Sequence, residues 1–600
     1  MIEKYIIDVK DLLSKTVQKH GNKILYKFDN REITYKEMQE QVNSLGTAMV
    51  NKGLKNKKIA IMSENRYEWE ISYFAIACGT GVVVPIDKAL TKKEVINILK
   101  RTQVEAIFCS GKYEETLEES KKEVKSLKYI ISFDSNNENS FSNLIKEGKQ
   151  LIESGNQDFL EATIDNEEVG FIMFTSGTTD KSKAIMLSHK NICSNIENVA
   201  KVFPITSKDI VLSVLPLSHI FEGGMCFLLT IYKGAERKYC CDLNNIVEDI
   251  NKYRISFMGA VPAIYKYIYN KIDELNEENI NLFMSGGAIL ESNLEKLFNE
   301  KNIKLVQGYG LTETSPIISI SNKKEHKVGS VGKVIPNIEV KIENKDEDGI
   351  GELVVKGDNV FLGYYQDEDA SKKAFREQWF YTGDLAKIDE DGFVFLHGRI
   401  KNLIVLPNGK KIFPEELEAI INKINGVIES FVYDKKLSNN KSIICAKIVC
   451  KDLEQKEEIL NNIDKLNKNF PIYKHITDIY ITNEEINKTH TGKIKRKEEL
   501  DMIINHQADI KENDFLKSTA KNDDVLNKIR NIISKQLGIE EKSITNEIRI
   551  SDLGADSLDK VEIIYFLEKE FKIKIGKESY TRINSVKEIS EYIKQSRNYI

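Results

Sequence analysis

Short apolar runs alternate with longer amphipathic segments from residue 8 to about residue 399, and this alternation constrains the fold more than any other feature of the sequence. Segments such as 34–52 and 91–102 have helical periodicity. The runs between the helical segments have the length of strands, as in 58–62, 81–86, 106–109 and 129–133. Runs that are apolar throughout indicate strands buried on both faces, which is typical of parallel sheets. We therefore expect a large α/β domain over residues 1–399.

The pattern changes toward the C-terminus. From about residue 351 the apolar runs form strand pairs with Asp-Gly turns, which predicts a β-rich subdomain within the large domain. Residues 400–505 predict a small α+β C-terminal subdomain. Residues 506–522 are polar and lack a hydrophobic period, as expected of a linker. Residues 523–600 have the length and pattern of an all-α domain of four helices.

Charge and hydropathy exclude two classes of protein. The net charge of −5 and the pI of about 6.1 argue against nucleic-acid binding through a basic surface. The longest uncharged stretch, 71–86, is too short to span a bilayer, so we expect no integral membrane segment. The start at Met1 has no secretory pattern, and the cysteines are scattered without a CxxC pair. These features favour a cytoplasmic location and no zinc site.

A hydroxyl-rich loop between two apolar runs is the most informative local motif. The run 171–174 leads into Thr-Ser-Gly-Thr-Thr-Asp-Lys-Ser-Lys at 175–183, and a second apolar run follows. Such a loop offers backbone N–H groups, hydroxyls and the Lys183 ammonium to a polyphosphate, although the chain contains no Walker motif. A plain Ser/Thr/Gly connection is the alternative. The position of the loop between two strand-like runs favours the phosphate site.

Two other segments carry residue types that a nucleotide site needs. In 307–314 the glycines allow close approach of the backbone, Tyr309 can stack on a purine, and Glu313 can bind Mg²⁺. A tight turn with a surface glutamate is the alternative there. Farther along, Asp384 can accept hydrogen bonds from ribose hydroxyls, and Arg399 ends a neighbouring strand-like run. For Asp384 alone, an aspartate in a glycine turn is the alternative.

Seven motifs occur in an order that resembles the adenylate-forming superfamily, which includes acyl-CoA synthetases, nonribosomal adenylation domains and luciferases. The resemblance covers about residues 10–500 and is strongest to long-chain acyl-CoA synthetases. The motifs are FTSGTTDKSKAIMLSH, LPLSHIFEGG, SGGAIL, QGYGLTET, YTGDL, HGRIKNLIV and NKTHTGKIKR. One such motif is a weak signal, whereas seven in order are specific.

The resemblance implies a nucleotide site. The hydroxyl-rich loop would hold the β- and γ-phosphates, Thr312 and Glu313 would serve the α-phosphate and Mg²⁺, and Asp384 and Arg399 would hold the ribose. The positions implied to bind ATP or AMP are Thr175, Ser176, Gly177, Thr178, Thr179, Lys183, Gly286, Gly287, Ala288, Tyr309, Gly310, Thr312, Asp384 and Arg399.

The resemblance also implies catalytic positions. Lys493 matches the lysine that bridges carboxylate and α-phosphate during adenylation, and Lys401 falls at the hinge of the mobile C-terminal subdomain. Thr178, Glu313 and His219 complete the implied catalytic set. His219 matches a position beside the acyl site, and a buried structural histidine is the alternative for it.

The phosphate loop departs from the family pattern. Asp180 and Ala184 replace glycines, and Ser182 replaces a proline. Asp180 adds a negative charge near a polyphosphate, which should weaken nucleotide binding unless its side chain points outward. Because the hydroxyls and Lys183 are kept, we interpret the loop as a tolerated variant.

The segment from 523 to about 595 resembles an acyl carrier protein. Its Asp-Ser-Leu triplet precedes an amphipathic segment, and Ser557 matches the serine that carries a 4′-phosphopantetheine arm. A Ser at a helix start is otherwise most often a plain N-cap. The resemblance implies a phosphopantetheinyl transferase as a partner, together with downstream acyl-transfer, polyketide or peptide synthase enzymes.

The predicted activity is therefore that of an acid–thiol ligase with ATP, Mg²⁺ and 4′-phosphopantetheine as cofactors. A carboxylate is already a nucleophile, so no general base is needed. The acyl site should be apolar, which suits a fatty acid. We expect acyl-AMP formation followed by transfer to the chain's own carrier. The alternatives are a fatty acyl-CoA synthetase that uses free CoA while the carrier serves another enzyme, and an inactive scaffold that presents the carrier.

Overall fold

The computed structural model describes residues 5–175, 182–406, 410–436, 442–488, 493–504, 524–537, 557–573 and 585–597, with scattered positions between 539 and 575. Two compact units divide the chain, Met1–Ile400 with Lys488–Lys493 and Lys401–Asn487 with Ile494–Ile600. Within the described ranges no helix combines the length and the apolar character that a membrane span requires.

The first unit contains most of the strands. In chain order they are β1 Ile24–Phe28, β2 Arg31–Thr34, β3 Lys57–Met62, β4 Gly81–Pro85, β5 Ala106–Cys109, β6 Tyr129–Ser132, β7 Val169–Phe174, β8 Ala184–Ser188, β9 Ile210–Ser213, β10 Glu236–Tyr239, β11 Phe257–Ala260, β12 Leu282–Ser285, β13 Leu305–Gly310, β14 Ile317–Ile320, β15 Lys333–Val334, β16 Ile338–Glu343, β17 Gly351–Gly357, β18 Gly363–Tyr364, β19 Phe375–Arg376, β20 Trp379–Ile388 and β21 Val394–Arg399.

Helices connect these strands. They are α1 Val9–His20, α2 Tyr35–Asn51, α3 Tyr67–Ala75, α4 Lys92–Thr102, α5 Glu114–Ser120, α6 Phe141–Glu153, α7 His189–Val202, α8 Phe227–Lys233, α9 Ile246–Lys252, α10 Pro262–Tyr269, α11 Ser292–Glu300 and α12 Glu368–Ala374. Helices α2 and α4 begin at the predicted places because Thr34 with Glu37, and Thr91 with Glu94, form capping boxes.

Two large sheets form the body of the first unit. One has the order β18-β8-β7-β4-β3-β5-β6, in which β7, β4, β3, β5 and β6 run parallel and β8 pairs antiparallel with β7. The other has the order β15-β14-β13-β12-β11-β9-β10-β1-β2, with a parallel centre from β13 to β10. The buried parallel strands confirm the predicted α/β class.

A third sheet is antiparallel and contains β16, β17, β20, β19 and β21. It confirms the predicted β-rich subdomain. Strand β20 begins at Trp379 and continues through the Gly383 position, where φ is +72°. Asp384 therefore lies inside a strand and not in a turn, so the predicted alternative of a turn aspartate is wrong.

The largest buried cluster fills the space among the helices and the faces of the two large sheets. An ion network lies inside it, since the fully buried Arg237 guanidinium lies 2.8 Å from Glu70 and 3.1 Å from Glu222. Burial raises the pKa of both carboxyls, and Arg237 opposes that effect. Two carboxylates around one cation are tolerated at this depth because hydrogen bonds also reach them from Ser213 and Tyr26.

The second unit is α+β in its first part and helical in its last. Its strands are β22 Ile404–Val405, β23 Lys411–Ile412, β24 Val427–Lys436, β25 Ser442–Cys450 and β26 Ile476–Thr482, and its helices are α13 Pro414–Ile421, α14 Lys456–Asn469, α15 496–504, α16 Asp524–Leu537, α17 Ser557–Phe571 and α18 Val586–Arg597. Helices α16, α17 and α18 share an apolar core that includes Ile533, Ile563 and Ile589. These features confirm the predicted fold class, and the fourth predicted helix of the terminal domain lies outside the described residues.

Candidate functional site

A β-hairpin frames the predicted phosphate loop. Strands β7 and β8 pair antiparallel, and the backbone N–H of Thr175 donates to the carbonyl oxygen of Lys183 at 3.2 Å. The loop therefore begins and ends at one point of the sheet. Its remaining predicted ligands lie outside the described residues, as does Asp180; these ligands are Ser176, Gly177, Thr178 and Thr179.

Arg101 ties the end of the loop to β18. Its Nη1 donates to the carbonyl oxygen of Ser182 at 2.7 Å, and its Nη2 donates to that of Tyr365 at 2.8 Å. One guanidinium thus fixes two backbone segments that are distant in sequence. Sequence reasoning missed Arg101, because an arginine near the end of an amphipathic helix carries no local sign of such a contact.

Tyr364 connects the predicted phosphate lysine with the predicted magnesium ligand. The Lys183 ammonium lies 4.2 Å from the centroid of the Tyr364 ring, and the Tyr364 hydroxyl donates to Glu313 Oε1 at 3.0 Å. Burial, and then the Glu313 charge, raises the pKa of Tyr364, so its hydroxyl remains a donor at neutral pH. The structure thus brings Lys183 and Glu313 together through a residue that the sequence analysis did not identify.

The turn that carries Glu313 is held by buried amides. Asn195 Nδ2 donates to the carbonyl oxygen of Ile317 at 2.7 Å, and Asn359 Nδ2 donates to that of Thr314 at 3.0 Å. Both asparagines are buried. The short 3₁₀ turn that begins at Thr312 is therefore fixed, which places Thr312 and Glu313 on a rigid segment.

Tyr309, Asp384 and Arg399 form a second connected group. Tyr309 Oη donates to Asp384 Oδ2 at 2.7 Å, and Arg399 Nε donates to Asp384 Oδ1 at 2.8 Å, since Asp384 and Arg399 are register partners on β20 and β21. Burial first, and then Asp384, raises the pKa of Tyr309 well above its ordinary value. Burial lowers the pKa of Arg399, but Asp384, Tyr309 and Glu313 together outweigh burial and raise that pKa above its ordinary value. This group presents donors and acceptors of the kind that a ribose requires.

Glycines at the ends of β11 and β12 face the ring of Phe221. A Cβ on Gly286 would lie 3.1 Å from that ring, and a Cβ on Gly259 would lie 3.4 Å from it. Gly287 follows with a φ of +79°, and the partly exposed Ala288 comes next. A side chain at Gly286 would therefore crowd this ring, and one at Gly259 would overlap Cys226 Sγ, which lies 2.5 Å from the Cβ position. Gly310, the last predicted nucleotide position of β13, is also tight, since a Cβ there would overlap the carbonyl oxygen of Pro316.

His219 caps the π-helical turn Ile220–Cys226. The backbone N–H of Phe221 donates to His219 Nδ1 at 3.2 Å. Burial, followed by the positive charge of Lys493, lowers the pKa of His219 to about 4. The ring is therefore neutral at pH 7, with its proton on Nε2 because Nδ1 accepts. The same turn packs near Trp69, whose ring lies 3.8 Å from the position that a Cβ on Gly223 would take.

Three predicted positions remain. Lys493 is exposed and groups with the first unit, so its charge reaches His219. Lys401 is the first residue of the second unit and lies in a 3₁₀ turn. Ser557 is the first residue of α17.

Comparison with known proteins yields two family matches. The model of the AMP-binding enzyme family matches residues 13–365, and the phosphopantetheine attachment site model matches residues 527–593. The long-chain-fatty-acid–CoA ligase of Salmonella typhimurium is 26% identical over 511 residues, which are 78% of this chain and 89% of that ligase.

Solved structures share the fold. A crystal structure of the anthranilate CoA ligase AuaEII in complex with anthranoyl-AMP aligns with a TM-score of 0.75 and 20% identity, covering 84% of this chain and 98% of that one. ATP-bound MatB from Rhodopseudomonas palustris aligns with a TM-score of 0.72 and 23% identity, covering 84% and 99%. At these identities the likeness establishes the fold.

Proposed function

This chain belongs to the AMP-binding enzyme family and carries a phosphopantetheine attachment domain, and from that premise we propose that it activates a fatty acid with ATP and loads the acyl group onto its own carrier. The class of enzyme is that of an adenylate-forming acyl ligase. The acyl-AMP intermediate, the fatty acid and the acceptor in the same chain are the specific parts of the proposal.

The observation that carries the proposal is the link from Lys183 through Tyr364 to Glu313. It holds the Lys183 ammonium and the Glu313 carboxylate on one rigid frame, next to both ends of the hydroxyl-rich loop, and this supports their roles as phosphate and metal ligands. Phosphoryl chemistry on an already ionised acid needs charge stabilisation and positioning more than proton transfer. The neutral His219 fits this requirement, because a ring with a pKa of about 4 is a weak base at neutral pH.

Glu313 suits Mg²⁺. This ion is usually held by one or two carboxylates together with substrate phosphates, so a site with a single carboxylate is sufficient. The described residues contain no group of three or more His, Cys, Asp or Glu that could hold a metal by themselves. When bound, the ion would neutralise the charge that develops on the phosphates. Tyr364 would keep Glu313 oriented toward that position.

The residues around the nucleotide positions support separate roles. Tyr309 and Arg399, joined through Asp384, would orient the ribose, and the Gly286–Ala288 segment would lie along the adenine. Lys493 would supply the mobile cation between the carboxylate and the α-phosphate, and its charge already reaches His219.

A fatty acid is the favoured substrate class. Phe221 is buried among apolar side chains of the largest core cluster, and its ring lies against Gly286. The Phe221 ring offers no carboxylate that could bind the α-ammonium group of an amino-acid substrate. An apolar wall of this kind matches an alkyl chain.

Ser557 would carry the 4′-phosphopantetheine, whose thiol accepts the acyl group. Its place as the first residue of α17 favours a phosphate there, because helix N-termini stabilise anions. A linker of about 17 residues has a root-mean-square reach of roughly 23 Å and holds a tethered group at an effective concentration on the order of millimolar. Self-loading therefore competes well with transfer to dilute free thiols.

Free CoA is the second candidate acceptor. The observation that favours it is the similarity to a relative named as a CoA ligase over 78% of this chain. In that case the carrier would serve another enzyme. The inactive scaffold is disfavoured, because Glu313, Asp384 and Arg399 are all held in defined contacts.

An acid panel read by two methods tests the proposal. ATP–pyrophosphate exchange identifies the acid, and the intact mass of the phosphopantetheinylated chain identifies the acceptor. We expect an acyl mass shift that requires ATP and disappears in Ser557→Ala. Acylation of CoA with no shift on the carrier would assign the acceptor to free CoA. Exchange that is absent with every acid, or unchanged in Lys493→Ala, would contradict the adenylation role.

A further inference from the structure

Asn487 and Lys495, which flank Lys493 in the sequence, are joined by a hydrogen bond. The backbone N–H of Lys495 donates to the carbonyl oxygen of Asn487 at 2.8 Å. Asn487 is the last residue of the second unit before the segment Lys488–Lys493, and the second unit resumes at Ile494. Asn487 is therefore bonded to the backbone two residues beyond Lys493.

Glu499 holds Asn487 in place. Its Oε2 accepts from the backbone N–H of Asn487 at 2.9 Å and from Asn487 Nδ2 at 3.2 Å. Hydrogen bonds to an ionised carboxylate are stronger than those between neutral groups. Two of them on one oxygen anchor both the main chain and the side chain of Asn487.

Lys447 completes the anchor. Its Nζ donates to Glu499 Oε1 at 2.6 Å, and the side chains are 5% and 0% exposed. Lys447 lies on β25, the central strand of the β24-β25-β26 sheet. A carboxylate this deeply buried is stable only with a partner, so Lys447 and Glu499 act as one unit. The pair thus connects the central strand of the sheet to Asn487.

We propose that Glu499, paired with Lys447, is a positioning residue for Lys493 in the adenylation half-reaction. This inference rests on the proposed function, because it assigns Lys493 to acyl-AMP formation. Loss of the pair releases Asn487 and lets the ammonium of Lys493 sample positions away from the reacting oxygens. A displacement of about 1 Å in a catalytic group can lower a rate by about a hundredfold.

Other contacts preserve the surrounding fold when the pair is changed. Arg496 Nη2 donates to Glu418 Oε2 at 2.6 Å, and the backbone N–H of Ile486 donates to Glu429 Oε1 at 3.0 Å. These contacts remain in a double variant that replaces the pair by apolar groups. Apolar replacement of a buried ion pair is often neutral or stabilising.

The test uses the full phosphopantetheinylated chain in four forms: wild type, Glu499→Gln, the double variant Lys447→Met with Glu499→Leu, and Lys493→Ala as a benchmark. Adenylation is measured by ATP–pyrophosphate exchange, and thiol transfer is measured with acyl-AMP supplied in place of acid and ATP. Asp478→Asn is the matched control, since its carboxylate pairs with Lys435 on the same sheet at 2.9 Å and its side chain is 39% exposed.

We expect adenylation to fall at least about tenfold in Glu499→Gln and in the double variant, whereas transfer from supplied acyl-AMP changes less than about twofold. A purely structural role would lower both half-reactions together. Trypsin should also cut faster after Lys493 in the same two variants, because the backbone at Lys495 is no longer held by Asn487.

Two outcomes separate the inference from the proposed function. Unchanged adenylation and unchanged cleavage in a folded double variant, with adenylation lost in Lys493→Ala, would overturn the inference alone. A parallel loss of both half-reactions would also overturn it. Adenylation that survives in Lys493→Ala would instead remove the proposed role of that lysine, and the cleavage rates would still report whether Glu499 anchors the segment.

Discussion

The Tyr364 hydroxyl donates to Glu313 Oε1 at 3.0 Å, while the face of the Tyr364 ring lies against the Lys183 ammonium. This single side chain therefore orients the predicted metal ligand and the predicted phosphate ligand together. Strand β18 supplies the rigidity, because Tyr364 is the register partner of Ile185 on β8.

Removal of this hydroxyl should weaken nucleotide binding. In Tyr364→Phe the ring beneath Lys183 stays and the hydrogen bond to Glu313 is lost. A bond to a charged group contributes about 1.5–3 kcal/mol, so we expect the KM for ATP at limiting Mg²⁺ to rise about tenfold. Tyr365→Phe is the control, because the Tyr365 hydroxyl has no hydrogen bond within the described part of the chain. Equal KM values for the two variants would contradict this role.

Neutralisation of Asp384 should disturb the ribose site. Asp384→Asn removes the charge that Arg399 pairs with and one acceptor for Tyr309. We expect the KM for ATP to rise about tenfold or more, with a loss of about 1–3 kcal/mol in the free energy of unfolding. Asp391→Asn is the matched control, because this carboxylate is 70% exposed and pairs with Lys327 at 3.3 Å, so its loss should change the free energy of unfolding little. A KM that changes equally in both variants would argue against a ribose site.

A smaller side chain at Phe221 should change the choice of acid. Phe221→Leu opens space beside Gly286 and Gly259, so bulkier acids should gain relative to the wild-type substrate in the exchange assay. Truncation in a packed core also costs about 1–3 kcal/mol of unfolding free energy. Phe203→Leu makes the same change at a buried ring that packs on Phe257, and it should leave the acid profile unchanged. If Phe221→Leu and the wild type showed the same preference among acids, the acyl chain would bind elsewhere.

Acid should destabilise the first unit through His189. Its ring is 3% exposed, its Nδ1 accepts from the Val9 N–H at 3.3 Å, and burial lowers its pKa to about 4 from an ordinary 6.5. Between pH 4 and 6.5 the unfolded chain binds a proton that the folded chain does not, so unfolding free energy falls as pH drops through this window and is constant above it. The full effect is up to about 3 kcal/mol.

Urea unfolding at pH 4.5 and pH 7.5 measures this effect. The difference in unfolding free energy between pH 4.5 and pH 7.5 should be smaller in His189→Gln. Glutamine can still accept a hydrogen bond from the Val9 N–H, but it does not titrate. An unchanged difference would mean that other groups account for the acid sensitivity.

The sequence predicted local features and the family correctly, because their signals are local. The helices α2 and α4 and the buried parallel strands follow from capping residues and unbroken apolar runs. The family membership and the carrier segment, inferred from motif order, are confirmed by the two family matches. The roles of individual site residues remain predictions.

Long-range contacts could not be predicted in the same way. The link between Tyr364 and Glu313 spans 51 positions, and that between Arg101 and Tyr365 spans 264. Both depend on β18 pairing with β8, which no periodicity indicates. The alternative interpretation of Asp384, an aspartate in a glycine turn, was wrong. A glycine with positive φ can continue a strand as well as end one.

The chain contains two tryptophans, and their settings differ. Trp69 is 1% exposed, stacks on Tyr73 and borders the π-helical turn that follows His219, whereas Trp379 lies on β20 with the Lys341 ammonium 4.4 Å from its ring. Replacement of Trp379 by phenylalanine leaves one indole, which is shielded from water and borders the turn Ile220–Cys226. Emission from this single indole therefore reports on that turn, and stopped-flow measurements with a panel of acids would show whether an acid binds beside it without any attached dye.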